Sequence, residues 1–145
     1  MKIQIKKLRE DAILPTSGSK YAAGYDLYAV CDEESVQICP HETKMIHTGL
    51  SAAIPEGYFG AIFARSGIAA KEGLRPANCV GVVDSDYRGE FMVALHNDSN
   101  EPRQITKGER IAQLVVMPYL AVEFEECDSL DETERGAGGF GHTGK

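Results

Sequence analysis

Apolar and polar residues alternate in short runs along this chain: Ile3 and Ile5; Met45 to Ile54; Tyr58 to Ala64; Phe91, Val93 and Leu95; Ile111 to Val116; Val122 and Phe124. A two-residue period marks a strand with one buried face, so each run predicts a β-strand. Turn signals such as "CPHE", "IPEG", "NDSNEP" and "TKGER" separate the runs, and this cadence fits an all-β sandwich or barrel-like domain. No long amphipathic helix is expected. The one helical segment is "SGIAAKEG", where Ser66 is placed to cap a turn or two that stop at Gly73. The closing "RGAGGFGHTGK" follows neither period. A tail so rich in glycine loses much backbone entropy on ordering, which suggests that a ligand holds it down.

The 145 residues suffice for one domain with a real core and are too few for two ordinary ones. Residues 1–127 read as the β core, and 128–145 as linker and C-terminal arm, with the acidic "EFEECDSLDETE" leading into the tail. Hydrophobic residues at 43% and charged residues at 26% are ordinary for a soluble globular protein. "MKIQIKKLRE" is basic, yet no apolar run follows it. Neither a secretory signal nor a membrane anchor is expected, and the setting is cytoplasmic, or host cytoplasm or nucleus for a viral protein. A net charge of -7 opposes a broad nucleic-acid footprint while leaving room for a few arginines focused on one small anion. Cys31, Cys39, Cys79 and Cys127 lack CxxC spacing and read as buried free thiols. His41, His47, His96 and His142 lack metal-ligand spacing, so no zinc site is expected.

Several stretches could carry chemistry. In "FARSGIAAK" an arginine, a serine and a glycine open a helix whose first N–H groups have no partner within it, which suits a phosphate held by Arg65, Ser66 and Gly67; a capping serine beside a surface arginine is the alternative. In "NCVGVVDSDYRGE" an apolar strand runs into Asp84 and Asp86, a pattern that looks like a hairpin. The pair could form a turn with local side-chain bonds, or one carboxylate could take a proton from a water attacking phosphorus while Tyr87 offers a flat face. Directly after "VGVV", Asp84 is better placed than Asp86 for a sheltered base. Asp26 interrupts the apolar alternation of "AAGYDLYA", and could either bond a neighbouring strand or hold a water on Mg²⁺. Gln113 in "KGERIAQLVV" could face solvent or aim its amide into a cleft. In the tail, Arg135 can neutralise a terminal phosphate and Phe140 can stack on a flat ring, or the end can simply be disordered.

"AGYDLYA", "ARSGIAAK", "NCVGVVDSDYRGE", "GERIAQLV" and "RGAGGFGHTG" together resemble the five ordered motifs of the homotrimeric dUTP diphosphatases, spread from Ala23 to Gly144. Departures are small: Ala64 stands where many relatives have proline, Cys79 occupies a variable place, and His142 replaces a common serine. The resemblance implies hydrolysis of dUTP to dUMP and pyrophosphate with Mg²⁺, limiting dUTP available to DNA and supplying dUMP for thymidylate synthesis. It also implies a jelly-roll-like all-β fold with one short helix and a flexible glycine-rich arm, assembled as a homotrimer whose pockets draw residues from three subunits. On this analogy Asp84 activates the attacking water, and Asp26 positions the magnesium hydration shell. Arg65, Ser66, Gly67 and Gln113 hold phosphates. The segment from Asn78 through Val82 and Val83, with Met92, reads uracil, and Tyr87 packs under deoxyribose. Arg135 reaches the γ-phosphate, while Phe140, Gly141 and Thr143 close over the substrate. The rival implications are a dCTP deaminase of similar architecture and a catalytically silent nucleotide-binding trimer.

Overall fold

The computed structural model describes residues 1–139. In chain order its elements are β1 (Gln4–Lys7), β2 (Thr16–Ser17), β3 (Tyr25–Tyr28), β4 (Ser35–Ile38), β5 (Thr43–His47), β6 (Leu50–Ala53), β7 (Tyr58–Phe63), α1 (Ser66–Glu72), β8 (Leu74–Pro76), β9 (Val80–Val83), β10 (Met92–Asn97), β11 (Arg103–Thr106) and β12 (Arg110–Pro118). The largest sheet is ordered β2-β3-β12-β7-β9, a three-stranded sheet runs β5-β10-β8, and two small pairs, β1-β6 and β11-β4, complete the fold. All pairings are antiparallel.

Alternation fixes which face of each strand turns inward. In β10, Val93, Leu95 and Asn97 are buried while Met92 is exposed. They meet Leu27, Ile38, Leu50, Leu74, Phe91, Ile105 and Ile111 in one core, where each large side chain removed from water stabilises the fold by roughly 1.5–3 kcal/mol. Asn97 is the polar exception inside it. Its Nδ2 donates to the carbonyls of Ile38 (3.1 Å), Cys39 (3.2 Å) and Glu101 (2.8 Å), and its Oδ1 accepts from the Ser99 amide (2.9 Å), so burial leaves nothing unpaired.

Three sequence expectations change. The run from Met45 to Ile54 is two strands in different sheets, because the chain corners at Gly49 (φ 66), where a Cβ would come within 2.8 Å of the Ala12 methyl. Val122 and Phe124 form no strand. They are 67% and 94% exposed, and nothing among the described residues pairs with them after β12 ends at Pro118. Ser66 is not the helix cap: Arg65 takes that position with extended backbone and no capping side chain, while Gly73 ends the helix in the left-handed conformation (φ 71) as expected.

Of the cysteines only Cys31 is buried; Cys39, Cys79 and Cys127 are exposed free thiols. Burial pushes the Cys31 thiol up from its ordinary value. Among the described residues no helix is long and apolar enough to cross a membrane.

Candidate active site

The charged centre of the largest sheet is Asp26 on β3, paired in register with Gln113 of β12. Its side chain is only 15% exposed and takes two arginines: Arg65 Nε donates to Oδ1 at 2.7 Å, and Arg110 Nη1 donates to Oδ2 at 3.2 Å. Sequence left open whether Asp26 bonds a neighbouring element, and it does. Arg65 Nη1 donates at 3.4 Å to the Arg110 carbonyl, which ties the helix start to the β12 start. Gln113 Nε2 donates to the Ala64 carbonyl at 2.9 Å, which holds the approach to Arg65. A methyl group at Gly24 would overlap Gln113 Oε1, so the glycine leaves room for that amide.

These groups line one cleft together with Ser66 and Gly67. Two guanidiniums against one carboxylate leave it a net positive charge, with a hydroxyl and an amide beside it, an arrangement suited to an oxyanion. A Cβ at Gly67 would meet nothing within 4 Å, so this face of the helix start is open to an incoming group. Arg110 escaped the sequence reading, for a geometric reason. Arg110 and Gln113 are three residues apart, and simple alternation would send them to opposite faces. The β3–β12 register shifts between Arg110 and Ala112, and this bulge brings both to the same cleft, with Ile111 and Ala112 buried in succession.

The other expected residues lie elsewhere. Asp84, Ser85, Asp86 and Arg88 border a separate depression with Ile54, Glu56 and Tyr119. The sheltered position expected for Asp84 is not found: its side chain is exposed in the chain. The stretch around it is not a β-hairpin either, because β9 pairs with β7 while β10 pairs with β5 and β8. The turn is nevertheless well braced. The Tyr87 amide donates to the Asp84 carbonyl (3.2 Å), Arg88 Nη1 donates to the carbonyls of Ser85 (2.6 Å) and Tyr87 (2.8 Å), and the Tyr87 hydroxyl donates to the Glu90 carbonyl (3.0 Å). A Cβ at Gly89 would collide with the Tyr87 ring.

Glu90 bolts this turn to the β5–β6 corner, accepting from the Gly49 amide (2.7 Å) and pairing with His47 Nδ1 (2.8 Å). Ser51 Oγ donates to the Arg88 carbonyl at 2.7 Å. Neither Glu90 nor Arg88 carried a sequence signal: Arg88 braces backbone carbonyls, and the partners of Glu90, the Gly49 amide and the His47 ring, are some forty residues away in sequence.

Between β8 and β9, Asn78 is exposed and Cys79 adopts φ 62, with the loop braced by Arg75 Nη1 donating to the Pro76 carbonyl at 3.2 Å. Arg75 in turn holds the Asp98 carboxyl below its usual range. Val82 and Met92 are exposed, whereas the Val83 side chain is in the core, which leaves only its backbone for a ligand. Arg135 is exposed, its Nε donating to the Gly138 carbonyl at 2.8 Å. Phe140, Gly141 and Thr143 lie outside the described residues.

A family model described as dUTPase matches residues 10–144. The chain belongs to the dUTPase family. It is 50% identical over 145 residues to the deoxyuridine 5'-triphosphate nucleotidohydrolase of Nautilia profundicola, covering 100% of both chains. It is 46% identical to the enzyme of that name from Haemophilus influenzae, covering 100% of this chain and 96% of the relative. Its fold is that of the Staphylococcus bacteriophage 80alpha dUTPase solved with dUPNHPP, at TM-score 0.90 and 30% identity over 99% of each chain. The all-β architecture with one short helix is thus the dUTPase fold.

Proposed function

We propose that this chain hydrolyses dUTP to dUMP and pyrophosphate. The observation that carries the reading is the Asp26–Arg65–Arg110 cleft, a net cationic site with Ser66, Gly67 and Gln113 on its wall, in a member of the dUTPase family. Arg65, Ser66, Gly67 and Gln113 hold the phosphate chain. Asp84 accepts a proton from a water as the water oxygen bonds the α-phosphorus and the bond from that phosphorus to the bridging oxygen breaks, with pyrophosphate as the leaving group. Tyr87 packs under the sugar, and Asn78, Val82, the Val83 backbone and Met92 frame the base. Arg135 meets the terminal phosphate, and Phe140, Gly141 and Thr143 close the site, excluding bulk water.

Because Asp84 and the Asp26 cleft border different depressions of one chain, the reading includes assembly of copies, a homotrimer, so that one copy's Asp84 turn faces another's cleft. The donor set fits Mg²⁺ carried in by the triphosphate. No group of three His, Cys, Asp or Glu among the described residues could hold a metal alone, and Asp26 is the carboxylate of the cleft. Asp26 would hold the ion through water, and the ion when bound would neutralise phosphate charge. Pyrophosphate release from dUTP, compared with dTTP, dCTP and UTP with and without magnesium, tests the reading. Selective release from dUTP is expected; ammonia from dCTP, or binding without release, would overturn it.

A further inference from the structure

The Arg65–Asp26 pair differs from the other two arginine–aspartate pairs that are made through Nε among the described residues; Arg9 also touches Asp32, end-on through Nη1 alone. Arg75 meets Asp98 with two prongs, Nε to Oδ2 and Nη2 to Oδ1 (3.1 Å). Arg9 meets Asp11 in the same manner, Nε to Oδ1 (3.1 Å) and Nη2 to Oδ2 (3.3 Å). This side-on fork is the arrangement a planar guanidinium ordinarily reaches with a carboxylate. Arg65 reaches Asp26 with Nε alone, because Asp26 Oδ2 is taken by Arg110 Nη1. Arg65 Nη1 rests on the Arg110 carbonyl, and among the described residues Arg65 Nη2 has no acceptor. The β-bulge that breaks the β12 register delivers Arg110 to that oxygen.

We propose that Arg110 is a positioning residue of the phosphate cleft: by occupying the second oxygen of Asp26 it keeps Arg65 from closing a two-pronged pair and leaves the Arg65 outer edge available to an anion. This rests on the phosphate-binding reading of the cleft given above. Without Arg110, Oδ2 is open to Arg65 Nη2, and Arg65 turns inward to the fork seen at Arg75 and Arg9. An incoming triphosphate must then break an ion pair before it gains its own hydrogen bond, so affinity falls although Arg65 is still present. Arg110 acts here through Asp26 and Arg65, not through contact with the substrate.

The test measures affinity for the non-hydrolysable imido analogue of dUTP with Mg²⁺ in excess. Arg110→Met keeps the aliphatic stem and so the packing of the strand start, while removing the donor. It is expected to weaken binding roughly tenfold at an unchanged melting temperature. Arg110→Lys, which can still donate to Oδ2, is expected to restore most of that loss. In an Asp26→Asn background, where no second carboxylate oxygen remains to be guarded, Arg110→Met should cost far less than tenfold, only what the loss of one nearby positive charge takes away. A tenfold loss that persists in that background overturns the proposal in favour of direct contact, and so does wild-type affinity in Arg110→Met. Failure of the wild-type protein to bind the analogue at all would instead bring down the phosphate-cleft reading and this inference with it.

Discussion

The Asp26 cleft and the Asp84 turn hold the principal carboxylates of the proposed site, and they are built in opposite ways. Asp26 is mostly buried, its two oxygens are each committed to an arginine, and strands of one sheet set its position. Asp84 is exposed, it accepts through its backbone carbonyl, and it sits where the chain passes from one sheet to another. The oxygens of Asp26 already accept from two guanidiniums, whereas among the described residues the Asp84 carboxylate accepts no hydrogen bond and lies open to a water. The difference fits the proposed division of roles, in which the cleft organises charge and the turn supplies the base.

Breaking the base should give the largest effect. Asp84→Asn is expected to lower kcat about 10² to 10⁴-fold while affinity for the imido analogue stays near wild type. Loss of binding with little change in kcat would make Asp84 a structural residue. Removing the chain after Glu134 comes next. It deletes Arg135 and the residues proposed to close the site, and turnover should fall about 10²-fold through poorer positioning, with the melting temperature unchanged. Unaltered steady-state kinetics would remove the tail from the mechanism.

Much of this contrast was legible in the chain before any coordinates. The strand period found β7, β10 and β12, Gly73 marked the end of α1, and Asp26, Arg65, Ser66, Gly67 and Gln113 do converge on one cleft. Most of what escaped has a common cause, which is that a two-residue period assumes unbroken strands. The bulge at Arg110 moves a residue to the face alternation denies it, and the corner at Gly49 divides one apolar run between two sheets. The exposed Val122 and Phe124 show the converse, since alternation alone cannot supply a partner strand. Glu90 was invisible for another reason: its partners are a ring and an amide some forty residues away in sequence.

Glu90 also allows the turn to be loosened without touching Asp84. Glu90→Ala leaves the Gly49 amide without its acceptor and frees His47, which should cost about 2 kcal/mol in a denaturant melt. Through the disordered turn it should lower kcat about tenfold, with a smaller change in KM. Glu90→Gln keeps an acceptor for Gly49 and a donor for the His47 ring, so most of the activity should return. Equal kcat in Glu90→Ala and wild type would mean that the turn holds its shape by its own bonds, those of Arg88 and Tyr87.

The smallest effect belongs to an arginine-bound carboxylate at the surface, a useful foil for Asp26. Lys107 first, then Arg9, pull the Asp11 carboxyl from its usual 3.8 to about 2. A depressed carboxyl stabilises the fold fully above its unfolded value, and that contribution is lost as pH falls through the folded one. The melting temperature of wild type should therefore exceed that of Asp11→Asn at pH 6, and the gap should narrow between about pH 4 and pH 2. Added salt should shrink the gap at pH 6, because an exposed pair is screened. A gap that stays constant down to pH 2 would show that Asp11 acts through hydrogen-bond geometry alone, and that charge pairing on this surface contributes nothing comparable to its role around Asp26.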